Sequence, residues 1–188
     1  KHLGISSRNE NGIDLRVHPT MIPEKRSIAT IDGVLNAVMV NGDAVGDTLF
    51  SGPGAGAGPT ASAVVADVID LARSIDAPAA SRVHHLGFKD VDDTQVLPIE
   101  EIETAYYLRI PTLDKAGVLA NVSSILSERG INIEALIQKE QVEGEEVVQV
   151  ILLTHTIQEK IMNDAIAAIK ALEETQEGVT RIRVEQLV

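Results

Sequence analysis

The residues best suited to chemistry lie in Gly52-Pro53-Gly54-Ala55-Gly56-Ala57-Gly58-Pro59-Thr60. Four glycines in seven residues build no core element. They permit positive φ and let a ligand come close to the backbone. Downstream, Ala61, Val64, Val65, Val68, Leu71 and Ala72 recur at helical spacing. The pattern predicts a glycine loop feeding a helix from Thr60 to about Ser74, with Gly58 as cap and Pro59 as first helical residue. Amide N–H groups and the positive dipole end of such a helix suit a phosphate. A tight turn with backbone packed on backbone is the competing reading. The spacing is neither a strand-linked GxGxxG nor a P-loop, since no Gly-Lys-Ser/Thr follows.

A second candidate lies at Asp114-Lys115-Ala116-Gly117-Val118. This loop opens a helix whose amides could hold a carboxylate. Asn132, at the start of a strand, offers an amide with both donor and acceptor. The plainer account is that Asp114 caps the helix and Gly117 relieves crowding. Other titratable residues are less suggestive. His18 reads as a strand-end histidine bonded to the backbone. Asp32, Asp43 and Asp47 stand beside turn residues, where turn chemistry explains them. His84 and His85, with Asp90, Asp92 and Asp93, lack the glycine and terminal glutamate of a calcium loop and read as a solvated acidic linker. No catalytic residue and no metal ligand is assigned.

The elements that position these residues must be built from aliphatic side chains. Hydrophobic residues make up 44% of the 188, but aromatics only 2%. A net charge of −12 argues against nucleic acid, which needs a basic face and stacking platforms. With no cysteine, disulfides, thiolate catalysis and zinc–thiolate sites are excluded. That composition fits a cytoplasmic protein, and no apolar run is long enough for a membrane helix. The chain opens at Lys1 in strand-like sequence, so the expectation is a segment of a longer protein.

In the first half, His2 to Ser6 and Ile13 to Val17 read as strands around the hairpin turn Asn11-Gly12. Two more strands flank Asn41-Gly42-Asp43, and Val45 to Ser51 runs into the glycine loop. The expectation is a partial, mostly antiparallel sheet with the one helix lying on it. Periodicity then disappears from 76 to 103, predicting a linker. The second half reads as βαββαβ, a ferredoxin-like unit. Its strands run from about Thr104 to Thr112, Asn132 to Lys139, Val147 to Thr154 and Val179 to Leu187. Gly130 is placed to stop its first helix. Gly144 turns the chain, and Thr156 with Glu159 suggests a capping box for the second helix. That helix's inner stripe is predicted as Ile161, Ala165, Ile169 and Leu172. The fold class is therefore α+β.

The stretches His18-Pro19-Thr20-Met21-Ile22-Pro23, Asp32 to Val38, Gly42-Asp43-Ala44-Val45-Gly46, Gly52 to Gly56 and Pro59 to Asp67 resemble, in order and spacing, the C-terminal part of homoserine dehydrogenase. Members of that family reduce aspartate semialdehyde to homoserine, on the route to threonine, methionine and isoleucine, with NADP or NAD. The resemblance implies that residues 1–75 complete a catalytic domain and its dimer interface, and that Gly56 touches the cofactor. The family's Rossmann domain and catalytic lysine have no counterpart in these residues, so the resemblance implies a segment inactive alone.

The order βαββαβ, with Asp114 to Leu119 and Gly130-Ile131-Asn132-Ile133, resembles the ACT domain, a regulatory module that binds amino acids where two copies meet. Over residues 104–188 this implies an effector site containing Asp114, Gly117, Val118, Asn132 and Ile133, with threonine as effector, in a homodimer or higher homo-oligomer. A free-standing amino-acid sensor without catalysis is the alternative reading.

Overall fold

A computed structural model describes residues 1–78, 93–138 and 146–187. His84, His85, Asp90, Asp92, Lys139 and Gly144 lie outside the described residues. The chain forms two compact units, one of residues 1–23 with 94–188 and one of residues 24–93.

In the first unit, β1 (His2–Asn9) and β2 (Gly12–Met21) form the expected hairpin, but its two turn residues are Glu10 and Asn11, one position before the expected Asn11-Gly12: Gly12 already pairs with Asn9, and of the expected pair Gly12 alone has positive φ. Then come β5 (Glu103–Leu113), α2 (Val118–Glu128), β6 (Ile133–Gln138), β7 (Val147–Thr154), the two-residue β8 (Ile157–Gln158), α3 (Glu159–Lys170) and β9 (Thr180–Val184). The sheet order is β1-β2-β9-β5-β7-β6, with β8 paired to β5. The last four strands are antiparallel and carry the ferredoxin-like order. The hairpin of the first half extends this sheet through a short parallel pairing of Thr20 and Met21 with Arg183 and Val184.

The core lies on the helical face. Tyr106, Leu108 and Ile110 of β5 and Val150 and Leu152 of β7 meet Val122 and Leu126 of α2 and Met162, Ala165 and Ile169 of α3. Period-2 spacing on the strands and 3.6 on the helices bring these residues to one layer. Gly130 (φ +69°) ends α2 as expected. Its N–H reaches the Ser127 carbonyl at 3.0 Å, and that of Ile131 reaches Leu126 at 3.0 Å, a complete Schellman motif.

Two expectations for α3 are corrected. It begins at Glu159 with Gln158 as cap and no side-chain capping bond, so there is no Thr156–Glu159 capping box. Its buried stripe is Glu159, Met162, Ala165 and Ile169, while Ile161 and Leu172 are only partly buried. Residues three and four apart share a helix face, and Met162 is the one that continues the row from Ala165.

The second unit holds a turn of 3-10 helix (Ser27–Thr30), β3 (Leu35–Gly42), β4 (Gly46–Pro53) and α1 (Ala57–Ser74). β3 and β4 form a two-stranded sheet of their own, so the single sheet expected for the first half is divided. The helix expected to lie on that sheet buries none of its residues. Val64, Val65, Val68 and Leu71 keep their helical spacing on an exposed face.

Candidate functional site

The glycine loop leaves β4 at Pro53 and enters α1 through Gly56. The helix starts at Ala57, three residues before the expected start, and Pro59 is its third residue. Gly56, not Gly58, is the cap, with φ +122° and ψ 151°. A Cβ on Gly56 would meet only the Pro59 ring, at 3.4 Å and beyond. The backbone conformation, rather than crowding, is what demands glycine here. Pro59 has no N–H, and the Thr60 N–H bonds the Gly56 carbonyl at 3.1 Å. The donors heading the helix are thus the amides of Gly56, Ala57 and Gly58, with the positive end of an 18-residue helix behind them. Gly54 has a different constraint, because a Cβ there would collide with the Asn36 side chain.

The second candidate lies in the other unit. Gly117 (φ +95°) caps α2 in the left-handed region, and the Asn121 N–H bonds its carbonyl at 2.9 Å. Asp114 therefore does not cap this helix. Its Oδ1 instead accepts from Gln138 Nε2 at 3.3 Å. Asp114, Gly117 and Val118 line one cavity of about 250 Å³ together with Thr112, Lys115 and Gln138. Thr112 is buried, and among the described residues its hydroxyl has no hydrogen-bond partner. A carboxylate, an ammonium, an amide and a buried hydroxyl around one small cavity can match both charges of an amino acid.

Asn132 and Ile133 do not line that cavity. The Asn132 carbonyl accepts from the His155 N–H at 2.9 Å, where β7 has ended. Gln138 is at the other end of β6, pairing with Val150 midway along β7. Six residues at about 3.3 Å each separate Asn132 from Gln138, or about 20 Å. One chain therefore does not bring the five expected effector residues to one point.

A buried ionic cluster escaped the reading of the sequence. Glu159 is 2% exposed and accepts from Tyr106 Oη at 2.6 Å and from Arg183 Nε at 2.9 Å and Nη2 at 2.7 Å. Arg181 Nη1 adds an ion pair at 2.9 Å, and its guanidinium stands 5.8 Å from the Tyr106 ring centroid. Burial pulls the Glu159 carboxyl upward, but hydrogen bonds from Arg183 and Tyr106 and the charges of both arginines outweigh it and hold it below its ordinary value. Burial, with the Glu159 bond, pushes the Tyr106 hydroxyl up. Alternation of Arg181 and Arg183 on β9 was the available signal, but no spacing rule links either to Glu159.

β2 shows a second unexpected feature. Its buried face carries Asp14, Arg16, His18 and Thr20, while Leu15 and Val17 are 60% and 72% exposed. Arg16 Nη2 reaches Glu185 Oε1 at 2.6 Å, and Thr104 Oγ1 donates to the same oxygen at 3.0 Å. His18 does bond the backbone, with Nδ1 3.1 Å from the Pro19 carbonyl. Thr20 Oγ1 stands 3.0 Å from the same Nδ1, and Nε2 is buried without a partner among the described residues. Burial holds the His18 pKa below its ordinary value.

Comparison with known proteins matches both halves of the chain. The family model for homoserine dehydrogenase matches residues 1–69, and that for the ACT domain matches residues 106–174. A homoserine dehydrogenase of Pseudomonas aeruginosa is 57% identical over 100% of this chain and 44% of its own length. One of Neisseria gonorrhoeae is 48% identical over 100% of this chain and 43% of its own. The crystal structure of a homoserine dehydrogenase from Thiobacillus denitrificans is 52% identical with a TM-score of 0.91, covering 100% of this chain and 42% of that one. The chain thus spans less than half the length of the relatives it matches.

Proposed function

Because this chain belongs to the homoserine dehydrogenase family and carries an ACT domain, we propose that it is the C-terminal part of a dehydrogenase that reduces aspartate semialdehyde to homoserine with NADP or NAD. Residues 1–75 complete the catalytic domain, 76–103 link, and 104–188 form the regulatory domain. The observation that carries this reading is the run of both modules in one chain, aligned along its whole length with relatives of that name. It favours the enzyme over a free-standing sensor. On this reading the family's catalytic lysine lies outside these residues, and the segment alone does not turn over substrate.

The Gly56 loop faces the cofactor. Its open amides and positive-φ cap support that role, since a bound phosphate would complete the helix terminus without reorganisation. The cavity at Asp114, Gly117 and Val118 holds an amino-acid effector, threonine in the simplest scheme, between copies of a homodimer or larger assembly. Asn132 and Ile133 then come from the second copy, which reconciles their distance with a single site.

In the full-length enzyme, Gly56→Val is expected to raise the cofactor KM about tenfold, as one lost charge-assisted contact would, with the semialdehyde KM unchanged. Steady-state kinetics check this, and parent-like cofactor kinetics would remove the loop from the site.

A further inference from the structure

We propose that Arg16 is a two-position switch between β2 and β9, paired with Glu185 in one position and with Asp14 in the other, and that it carries the state of the amino-acid cavity to the catalytic half. Such coupling presupposes the regulatory role proposed above for residues 104–188. The joint lies wholly in the first unit. β2, within the residues matched by the dehydrogenase model, meets β9 at only two paired positions, Thr20 with Arg183 and Met21 with Val184. One further backbone bond runs from the Glu185 N–H to the Met21 carbonyl at 2.9 Å. Beside it, Arg16, Glu185 and Thr104 tie the strands together through their side chains.

In the position described, Arg16 Nη2 is 2.6 Å from Glu185 Oε1 and 3.4 Å from Asp14 Oδ2. One guanidinium thus stands between two carboxylates and is committed mainly to one. The arrangement is incompletely satisfied. Arg16 Nε and Nη1 and Asp14 Oδ1 are buried without hydrogen-bond partners among the described residues. These are two donors and an acceptor on one face of one strand, two residues apart. Turning Arg16 toward Asp14 pairs them with each other, as a guanidinium fork pairs with a carboxylate. Glu185 then has room to leave, because a cavity of about 330 Å³ lies against it and Thr104. The Thr104 hydroxyl can follow either position. Its one proton has two acceptors in reach, Glu185 Oε1 at 3.0 Å and the Val184 carbonyl at 3.1 Å.

β5 joins this switch to the amino-acid cavity. Thr104 stands near one end of the strand, and Thr112, which lines the cavity, near the other. They are eight residues apart, or about 26 Å. Between them Tyr106, Leu108 and Ile110 are fully buried in the core. A strand packed that closely transmits displacement rather than absorbing it. An effector moves the switch only by binding its two positions with different affinity.

Inhibition of the full-length enzyme by threonine tests this, read as the rate with threonine over the rate without, so that changes in basal rate cancel. Glu185→Gln weakens one position and Asp14→Asn the other. The threonine concentration for half-inhibition is expected to move about fivefold or more, in opposite directions, as loss of one charge-assisted bond shifts a two-state equilibrium. A purely structural role would lower both unfolding midpoints without opposed shifts. Thr104→Val removes only the hydroxyl bond and is expected to move half-inhibition several-fold in the direction of Glu185→Gln. It decides the matter if either charge variant loses its circular dichroism. Shifts in the same direction from Glu185→Gln and Asp14→Asn, or a Thr104→Val enzyme inhibited like the parent, would overturn the switch and leave the regulatory reading standing. A parent enzyme that threonine neither inhibits nor binds by calorimetry would overturn both.

Discussion

Glu159 shows how far a side chain's role can depart from its local sequence. Spacing to Thr156 suggests a cap, whereas the side chain turns inward to one tyrosine and two arginines that lie 53 residues before and 22 to 24 after it. Removing its charge leaves Arg183 and Arg181 uncompensated near a buried hydroxyl. Glu159→Gln is therefore expected to cost about 3–5 kcal/mol, read from urea unfolding midpoints. The pH dependence follows from the direction of its shift. The folded carboxyl is lowered, so its contribution is complete above about pH 4.3 and fades as pH falls through the folded value. His18 also has a lowered folded pKa, so the unfolded chain takes up its proton first, and stability declines once pH falls below about 6.5. His18→Gln should flatten the upper part of that acid limb and Glu159→Gln the lower part. Two variants with the parent's pH profile would rule out both assignments.

At the scale of elements, α2 was readable almost to the residue. Val118, Leu119, Val122, Ile125 and Leu126 recur at helical spacing and Gly130 stops the run; of these the structure buries Val118, Val122 and Leu126. The physical reason is local: glycine adopts φ +69° without the Cβ penalty, and the Schellman bonds close within the same turn. Gly130→Ala is expected to destabilise by about 1–2 kcal/mol, measured by thermal unfolding followed at 222 nm. A midpoint equal to the parent's would mean that this turn is not rigid in solution. β2 was readable as an alternating strand, but alternation does not say which face turns inward. Pairing with β9 puts Arg16 beside Glu185 and leaves Val17 outward. Val17→Thr should accordingly move the stability of this chain by no more than about 0.5 kcal/mol, while Arg16→Leu, which strands Glu185, should cost about 3 kcal/mol or more. The reverse order in denaturant titrations would contradict the orientation of the strand.

For the whole molecule, the exposed apolar faces are as informative as the buried core. Val64, Val68 and Leu71 on α1, and Val38 and Phe50 on the β3–β4 sheet, are all more than half exposed. Such faces are the kind that interaction surfaces present, which fits the proposed place of this chain in a longer enzyme. The cavity at Asp114 raises the same question, because Asn132, just before β6, lies about 20 Å from Gln138 at its far end. If two copies build the amino-acid site, threonine binding should follow the dimer population. Asn132→Ala and Asp114→Ala should then each weaken it. Calorimetry at several protein concentrations, beside sedimentation equilibrium, checks this. Undiminished threonine binding by monomeric Asn132→Ala protein would exclude a shared site.

The order of strands and helices in the second half, the existence of the first hairpin, the stop at Gly130 and the two family resemblances were all determined by the sequence alone. Each rests on periodicity, on a backbone angle that few residues accept, or on motifs contiguous in the chain. Tertiary structure alone decided that β1 and β2 extend the sheet of the second half, that Glu159 is a buried ion-pair partner rather than a cap, and that Asp114 and Asn132 stand apart. Those outcomes depend on contacts between residues far apart in the chain. The free energy of such contacts comes from shared burial and paired charge, which no local spacing encodes.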